Sequence, residues 1–168
     1  AGAGRAGRGA PGAVGMARAA LLSAALLAAG SGACSGGGEE ARHQRALEIA
    51  TSEARASLET FWAAHAAPAA DEYDFRLKLR LDPPGEDAGA GLWVENVVRT
   101  EAALAGVAAA SAGDVAEGEA VAFEEDDILD WSFVRGEKLL GHYTTRVMLP
   151  RLPSDQAAAL KSVFGENP

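Results

Sequence analysis

The sequence predicts an α+β domain, in which an N-terminal helix packs on a bent or barrel-like, mainly antiparallel sheet of about six strands and a short helix ends the chain. Three observations support this class. Apolar residues first recur at helical spacing, then a series of short β-rich segments is separated by turn residues, and a last segment has helical character again.

The helical pattern covers residues 39–65. Its apolar positions recur in steps of three and four, which places them on one helix face. Glu39 and Glu40 suit the first turn of this helix because acidic groups stabilise its positive end. Pro68 ends the segment. The predicted buried face consists of Leu47, Ala50, Ala54, Leu58, Phe61, Trp62 and His65.

Strict alternation in "EYDFRLKLRLD" predicts the first strand, which is half-buried. Its apolar side consists of Tyr73, Phe75, Leu77, Leu79 and Leu81, and its polar side of Asp74, Arg76, Lys78 and Arg80. "PPGEDAGAG" then turns the chain. "LWVENVVR" and "ALAGVAAA" predict the next two strands, which a short turn at residues 100–102 connects.

The remaining predicted strands cover residues 120–123, 130–134 and 139–149, and the last two form a hairpin around Arg135–Lys138. Alternation in the last strand would place Tyr143, Thr145 and Val147 on one side, and His142, Thr144 and Arg146 on the other. Ser154 can cap a final helix over residues 155–164, which Gly165 ends.

The first part of the chain is typical of an export signal. Residues 1–15 precede Met16 and suggest a start site placed too far upstream. Residues 16–33 combine a basic Arg18, an apolar segment Ala19–Ala29 and small residues before Cys34. That apolar segment is about half of the ~20 residues that a membrane-spanning helix needs, so we expect it to be removed.

Cys34 follows "SGA", which resembles the lipobox of bacterial lipoproteins, in which acyl chains are attached to the cysteine. Ser31 departs from the usual Leu three residues before the cysteine. By resemblance to Gram-negative lipoproteins, Ser35 directly after the cysteine, rather than Asp, suggests that the protein is sorted to the outer membrane. The alternative is ordinary cleavage near Ala33, which would leave a soluble periplasmic protein. Residues 34–45 are predicted to be the lipidated cysteine and a flexible linker, and residues 46–168 one domain.

Composition excludes several classes of function. Only three charged residues, all Arg, precede Cys34, so the formal net charge of −9 becomes −12 for the rest of the chain. Such a surface repels nucleic acid. A single cysteine excludes an internal disulfide. His43, His65 and His142 lack the spacing of metal ligands, and "EEDDILD" lacks that of a calcium loop. We predict no metal and no cofactor.

The candidate binding residues gather around the last hairpin. Aromatic side chains there could line a groove or fill the core of a small sheet, and the second is commoner. Polar side chains could bind an anion or a peptide, or could form an exposed face with an Asp130–Arg146 ion pair. The candidates are Trp93, Asp130, Trp131, His142, Tyr143, Thr144 and Arg146.

The segment "VAFEEDDILDWSFVRGEKLLGHYTTRVML" resembles the YegJ-like family of domains of unknown function, DUF2314. Members show an Ile-x-Asp-Trp core and a Gly-x-Tyr-Thr-x-Arg core. "FRLKLRL" and "LWVENV" resemble the family's earlier strands, so the resemblance covers about residues 46–168. The resemblance implies the fold and the location, and it leaves the activity open. The matching positions are Ile128, Asp130, Trp131, Gly141, Tyr143, Thr144 and Arg146.

These observations favour a non-enzymatic binding or accessory module, held by its lipid anchor at the periplasmic side of the outer membrane, with an envelope protein as its partner. One alternative is a small hydrolase that uses Asp130 or His142 as general base. Another is an immunity or inhibitor protein whose negative charge masks a basic partner. The sequence predicts no oligomeric state.

Overall fold

A computed structural model describes residues 37–81 and 91–168. The predicted start, signal segment and lipidation site at Cys34 lie outside the described residues, as does the predicted turn over residues 83–91 except for Gly91. The helices are α1 (Gly37–Ala56), α2 (Leu58–Ala66), α3 (Tyr143–Met148) and α4 (Ser154–Val163). Two 3-10 helices span Glu125–Asp127 and Leu149–Arg151.

Six strands form one antiparallel sheet in the order β4-β3-β2-β1-β5-β6. The strands are β1 (Glu72–Leu79), β2 (Leu92–Arg99), β3 (Leu104–Ala108), β4 (Ala120–Phe123), β5 (Ile128–Arg135) and β6 (Lys138–Gly141). The predicted α+β class and strand number are confirmed. The sheet is open rather than barrel-like, because β4 and β6 are its two edges.

The long helix predicted over residues 39–65 is divided at Ser57, where α1 ends and α2 begins. The Ser57 hydroxyl donates to the backbone carbonyls of Glu53 and Ala54, as a side chain that competes with the helix ladder does. The helix starts at Gly37, so the flexible linker predicted up to residue 45 is wrong over that part. Arg42 bonds the Gly38 carbonyl at 3.0 Å and supports this first turn.

One face of the sheet, the helix-covered face, packs against α1 and α2 and holds the core. Trp131 on β5 is fully buried there, and its indole N–H donates to the Ala54 carbonyl at 2.9 Å. Phe61 of α2 lies edge-on to Phe75 of β1, with ring centroids 5.8 Å apart. The apolar side predicted for the first strand is confirmed for Phe75, Leu77 and Leu79, which are the residues of β1 that pack in this core.

The opposite face of the sheet is here called the open face. Tyr73 lies on it because the alternation of β1 is interrupted. Asp74 has a positive φ of 56°, and the register between β1 and β5 shifts between Tyr73 and Arg76. This bulge turns Tyr73 away from the core, so its side chain is 55% exposed. Asn96 (φ 51°) lies at a matching irregularity on β2. The predicted burial of Tyr73 is therefore wrong.

The strand predicted over residues 139–149 ends at Gly141 and gives way to α3. Period-two alternation is therefore the wrong pattern for residues 143–148. Two consecutive residues with positive φ, Gly141 at 78° and His142 at 54°, turn the chain out of the strand. A last helix follows at Ser154–Val163, but Ser154 lies inside it and Pro153 precedes it, so the predicted Ser154 cap is wrong.

Candidate functional site

The Asp130 side chain is the centre of a buried polar cluster at the start of β5. Its side chain is fully buried, and its two carboxylate oxygens accept four hydrogen bonds. Three donors are backbone N–H groups, those of Trp131 (2.8 Å), Tyr143 (3.1 Å) and Thr144 (2.7 Å). The Thr144 hydroxyl is the fourth, at 2.7 Å. The carboxylate thus caps the first turn of α3, whose N–H groups have no partner inside the helix.

Lys78 lies directly across from Asp130 on the neighbouring strand β1. Its side chain is 8% exposed, although alternation alone predicts it on the polar side of the strand. Its ammonium donates to the Thr144 hydroxyl at 3.3 Å. Burial lowers the pKa of Lys78 and raises the pKa of Asp130, while each charge acts against the shift of the other. The pair is therefore part of the interior of the fold.

The turn before α3 places this helix beside the unpaired part of β5. Backbone pairing between β5 and β6 ends at Ser132 and Gly141. The next residue, His142, still donates its N–H to the Trp131 carbonyl at 2.9 Å, and from there the chain is helical. A continued strand would instead have paired with Asp130. Because the chain turns into a helix, the N–H groups of Tyr143 and Thr144 donate to the Asp130 carboxylate.

The His142 ring packs between two aromatic side chains. Its centroid lies 4.7 Å from that of Trp93 and 5.8 Å from that of Phe164. Its Nδ1 is 3.1 Å from the Thr145 hydroxyl. Burial lowers the pKa of His142 to about 3, and the positive charges of Arg146, Lys78 and Arg76 act in the same direction. The imidazole is therefore neutral at neutral pH.

This pKa predicts an acid-sensitive fold. A depressed pKa means that the unfolded chain binds the proton more readily, so stability is complete above about pH 6.5 and falls as the pH approaches about 3. His142→Asn keeps a side chain that tolerates positive φ and removes the titration. Between pH 7 and about pH 4.5 we expect the wild type to lose about 1–2 kcal/mol more than the variant, a value reduced because the ring is half-buried.

Urea unfolding of both proteins at a series of pH values measures this difference. The variant loses aromatic packing, which lowers its free energy of unfolding at every pH. Only the difference between the two proteins in the slope of this free energy against pH therefore reports the titration. At most the slope difference reaches about 1.4 kcal/mol per pH unit. Parallel curves from pH 7 to pH 4 would contradict the assignment.

Arg146 stabilises the end of the chain rather than Asp130. Its guanidinium donates to the backbone carbonyls of Gly141 (3.0 Å) and Gly165 (2.8 Å) and to Oδ1 of Asn167 (3.1 Å). It also lies 4.4 Å from the ring centroid of Phe164. The predicted exposed ion pair between Asp130 and Arg146 is therefore wrong, because the carboxylate is enclosed and the guanidinium is bonded elsewhere.

The structure brings the seven candidate residues together in space but divides them by exposure. Trp93, His142 and Arg146 are half-buried, whereas the other four have enclosed side chains that pack or hydrogen-bond. Tyr143, for example, bonds the Ser57 hydroxyl at 2.8 Å and connects α3 to the α1–α2 junction. The binding role of the set stays a prediction. The enclosed four are Asp130, Trp131, Tyr143 and Thr144.

Sequence reasoning missed three residues of this cluster. Alternation predicts Lys78 on the polar side of β1, the final helix is predicted to include Phe164, and no role is predicted for Asn167. For Lys78, its position in register with Asp130 could have been found only after the strands were paired. For Phe164, the sequence offers one signal that it packs against the fold: it is an aromatic residue at the end of the last helix, directly before Gly165.

The open face carries apolar side chains on five strands, and this set is here called the apolar row. Val134 pairs with Tyr73, and Val98 pairs with Ala105, which pairs with Ala122. Tyr73 and Val98 lie on the adjacent strands β1 and β2, and each is 55% exposed. Large apolar side chains that are exposed on one sheet face are a feature of interaction surfaces.

Within the described ranges, no group of three or more His, Cys, Asp or Glu side chains is placed to hold a metal ion. In the same part of the chain, no helix has the length and apolar character to cross a bilayer.

Comparison with known proteins identifies the family. No curated protein and no solved structure matches the chain. A model of one family, described as an uncharacterized protein conserved in bacteria (DUF2314), matches residues 44–166, which is most of the chain and includes the whole sheet and the Asp130 cluster. The chain therefore belongs to the DUF2314 family.

Proposed function

We propose that this DUF2314 protein is an exported lipoprotein, anchored through Cys34 to the outer membrane, whose domain is a non-catalytic binding module facing the periplasm. The observation that supports binding is the apolar row, because side chains such as Tyr73 and Val98 are more than half exposed on a sheet face. The signal-like residues 16–33 and the lipobox-like residues around Cys34 support export and anchoring.

The Asp130 cluster supports a structural rather than a catalytic role for the two candidate bases. A general base works best when its pKa lies near the working pH and a lone pair faces the substrate. The pKa of His142 is about 3, and the Asp130 oxygens already accept four hydrogen bonds from the protein. A hydrolase with Asp130 as base would have to dismantle the start of α3 first.

The anchoring part of the proposal predicts the chemistry of the mature N-terminus. We expect mass spectrometry of the protein from bacterial membranes to find a chain that begins at Cys34 and carries acyl groups. Cys34→Ala should move the protein out of the membrane fraction. Ser31→Leu, which restores the usual lipobox residue, should speed processing. A leader still attached to protein in the cytosol would refute the proposal.

The binding part can be tested with a photo-crosslinking residue placed at one position at a time. Val98 (55% exposed) lies on the open face, and Ile49 (54% exposed) lies on α1, so the two sites are matched in exposure. In intact cells we expect one discrete adduct from position 98 and none of that size from position 49. Equal labelling at both positions would show that the open face has no specific partner.

A further inference from the structure

The two edges of the sheet differ in how they are covered. The outer side of β6 is occupied by the end of the chain: Leu139 forms a parallel bridge with Phe164, and the Gly141 N–H donates to Oδ1 of Asn167 at 2.9 Å. At the other edge, β4 pairs with β3 only on its inner side. Among residues 37–81 and 91–168, no backbone group hydrogen-bonds to its outer side.

The hydrogen-bond pattern of β3 and β4 shows which groups point outward. The Ala108 N–H donates to the Glu119 carbonyl at 2.8 Å, which makes this a hydrogen-bonded pair. Such pairs alternate along an antiparallel ladder. Val121 and Phe123 therefore direct their N–H and C=O groups toward β3, while Ala120 and Ala122 direct theirs away from the sheet. Both alanines are exposed.

β4 is short, which limits pairing with other chains, but it lacks three other features by which natural edge strands avoid such pairing. Its sequence, "AVAF", contains no lysine and no proline, and its register with β3 runs without a bulge. The small side chains of Ala120 and Ala122 leave the backbone accessible from the edge. Ala122 also ends the apolar row of the open face. The edge can thus accept another strand.

The residues on both sides of β4 are acidic. Two arginines lie near the acidic residues that follow the strand. Arg99 is 3.5 Å from the Glu125 carboxylate, and Arg55 donates to the backbone carbonyls of Asp126 and Ile128. The negative charge is therefore in excess, which disfavours a second copy of this chain and favours a basic segment. The acidic residues are Glu117 and Glu119 before the strand and Glu124, Glu125, Asp126 and Asp127 after it.

We propose that β4 is a docking edge that receives an extended segment of a partner protein as a seventh strand, with basic residues on both sides of that segment. Main-chain hydrogen bonds to Ala120 and Ala122 supply affinity, and the acidic residues on either side select for a cationic partner. This inference rests on the proposed function for the partner's place in the envelope. The addition of the strand itself can be measured with the purified chain.

The test uses a synthetic peptide with a Thr-Val-Thr-Val centre and two Lys residues at each end, titrated into the full chain. We expect a Kd of about 10–100 μM that weakens as salt is added. Ala122→Pro removes an outward N–H without removing a bond to β3, so the strand should remain and binding should fall at least about tenfold. Circular dichroism and the Tm establish whether this variant folds.

A second measurement avoids any change in the protein. N-methylation of alternate peptide residues blocks one edge of the peptide only, so one of the two alternating patterns should abolish binding and the other should leave it intact. A matched peptide with Glu in place of Lys should bind at least about tenfold more weakly.

Equal binding of both N-methylated patterns, of the Glu peptide, or of the folded Ala122→Pro variant would overturn the docking edge. Dimers of the chain that Ala122→Pro abolishes would also overturn it, because the occupant would then be a second copy. None of these results bears on the membrane anchor, which the mass of the N-terminus tests separately.

Discussion

Replacing Asp130 with alanine is expected to lower the free energy of unfolding by about 3–5 kcal/mol, the range typical of a broken buried ion pair. The change removes the acceptor for four hydrogen bonds, three of them from backbone N–H groups that would remain buried. It also removes the negative charge beside the Lys78 ammonium, whose positive charge burial already disfavours.

Urea unfolding measures this loss, and two variants make it specific. Glu48→Ala removes the same charge from an exposed position on α1 and should change stability by less than about 0.5 kcal/mol. Asp130→Ala/Lys78→Met should recover part of the loss, because no buried ammonium remains beside the alanine. If Asp130→Ala were as stable as Glu48→Ala, the carboxylate would not hold α3 in place.

The pattern of the sequence was sufficient for most of the sheet. "LWVENVVR" and residues 120–123 are strands with the predicted bounds, and Arg135–Lys138 is the predicted hairpin turn. These segments are β-rich and bounded by turn residues, so local preference and the fold agree. Alternation gave the wrong face for Tyr73 because the bulge at Asp74 inserts one residue into β1. The apolar and polar residues of the sequence alternate without a break at this point, so the bulge could not be predicted from them.

The site was harder to predict because its contacts are distant in sequence. Alternation through "GHYTTR" suggested a strand, and only the pairing of β5 with β6 shows that residue 143 comes beside the Asp130 carboxylate. Local sequence contains one signal for the change, the glycine at position 141, because a Gly inside a strand pattern marks an irregularity; the structure shows that it has a positive φ. The burial of Lys78 follows from the same long-range arrangement.

This arrangement also explains why a dense group of aromatic and titratable residues is consistent with a binding module. Asp130 and Arg146 each use their hydrogen-bonding groups inside the protein, one on the start of α3 and the other on the chain end. The chain end in turn pairs with the outer side of β6 through the bridge between Leu139 and Phe164. The open face and the outer side of β4 are the surfaces to which the two proposals assign a partner.

Gly141→Ala is the second change with a large expected effect, because the new methyl group has no space. A Cβ at this position would lie 2.1 Å from the Trp131 carbonyl oxygen and 2.6 Å from Cε3 of its ring. The Trp131 carbonyl accepts the His142 N–H at the turn into α3, so moving it disrupts that turn. Together with the cost of a positive φ of 78°, we expect a loss of about 3–5 kcal/mol.

Gly118→Ala is the matched control for this prediction. Gly118 has a similar φ of 82°, but a Cβ there would meet nothing within 4 Å, so the change adds backbone strain without a clash. We expect it to cost about 1–2 kcal/mol. Urea unfolding of both variants separates the two contributions, and amide exchange at Thr144 should accelerate only in Gly141→Ala. Equal losses would mean that the backbone angle alone, and not contact with Trp131, requires glycine before α3.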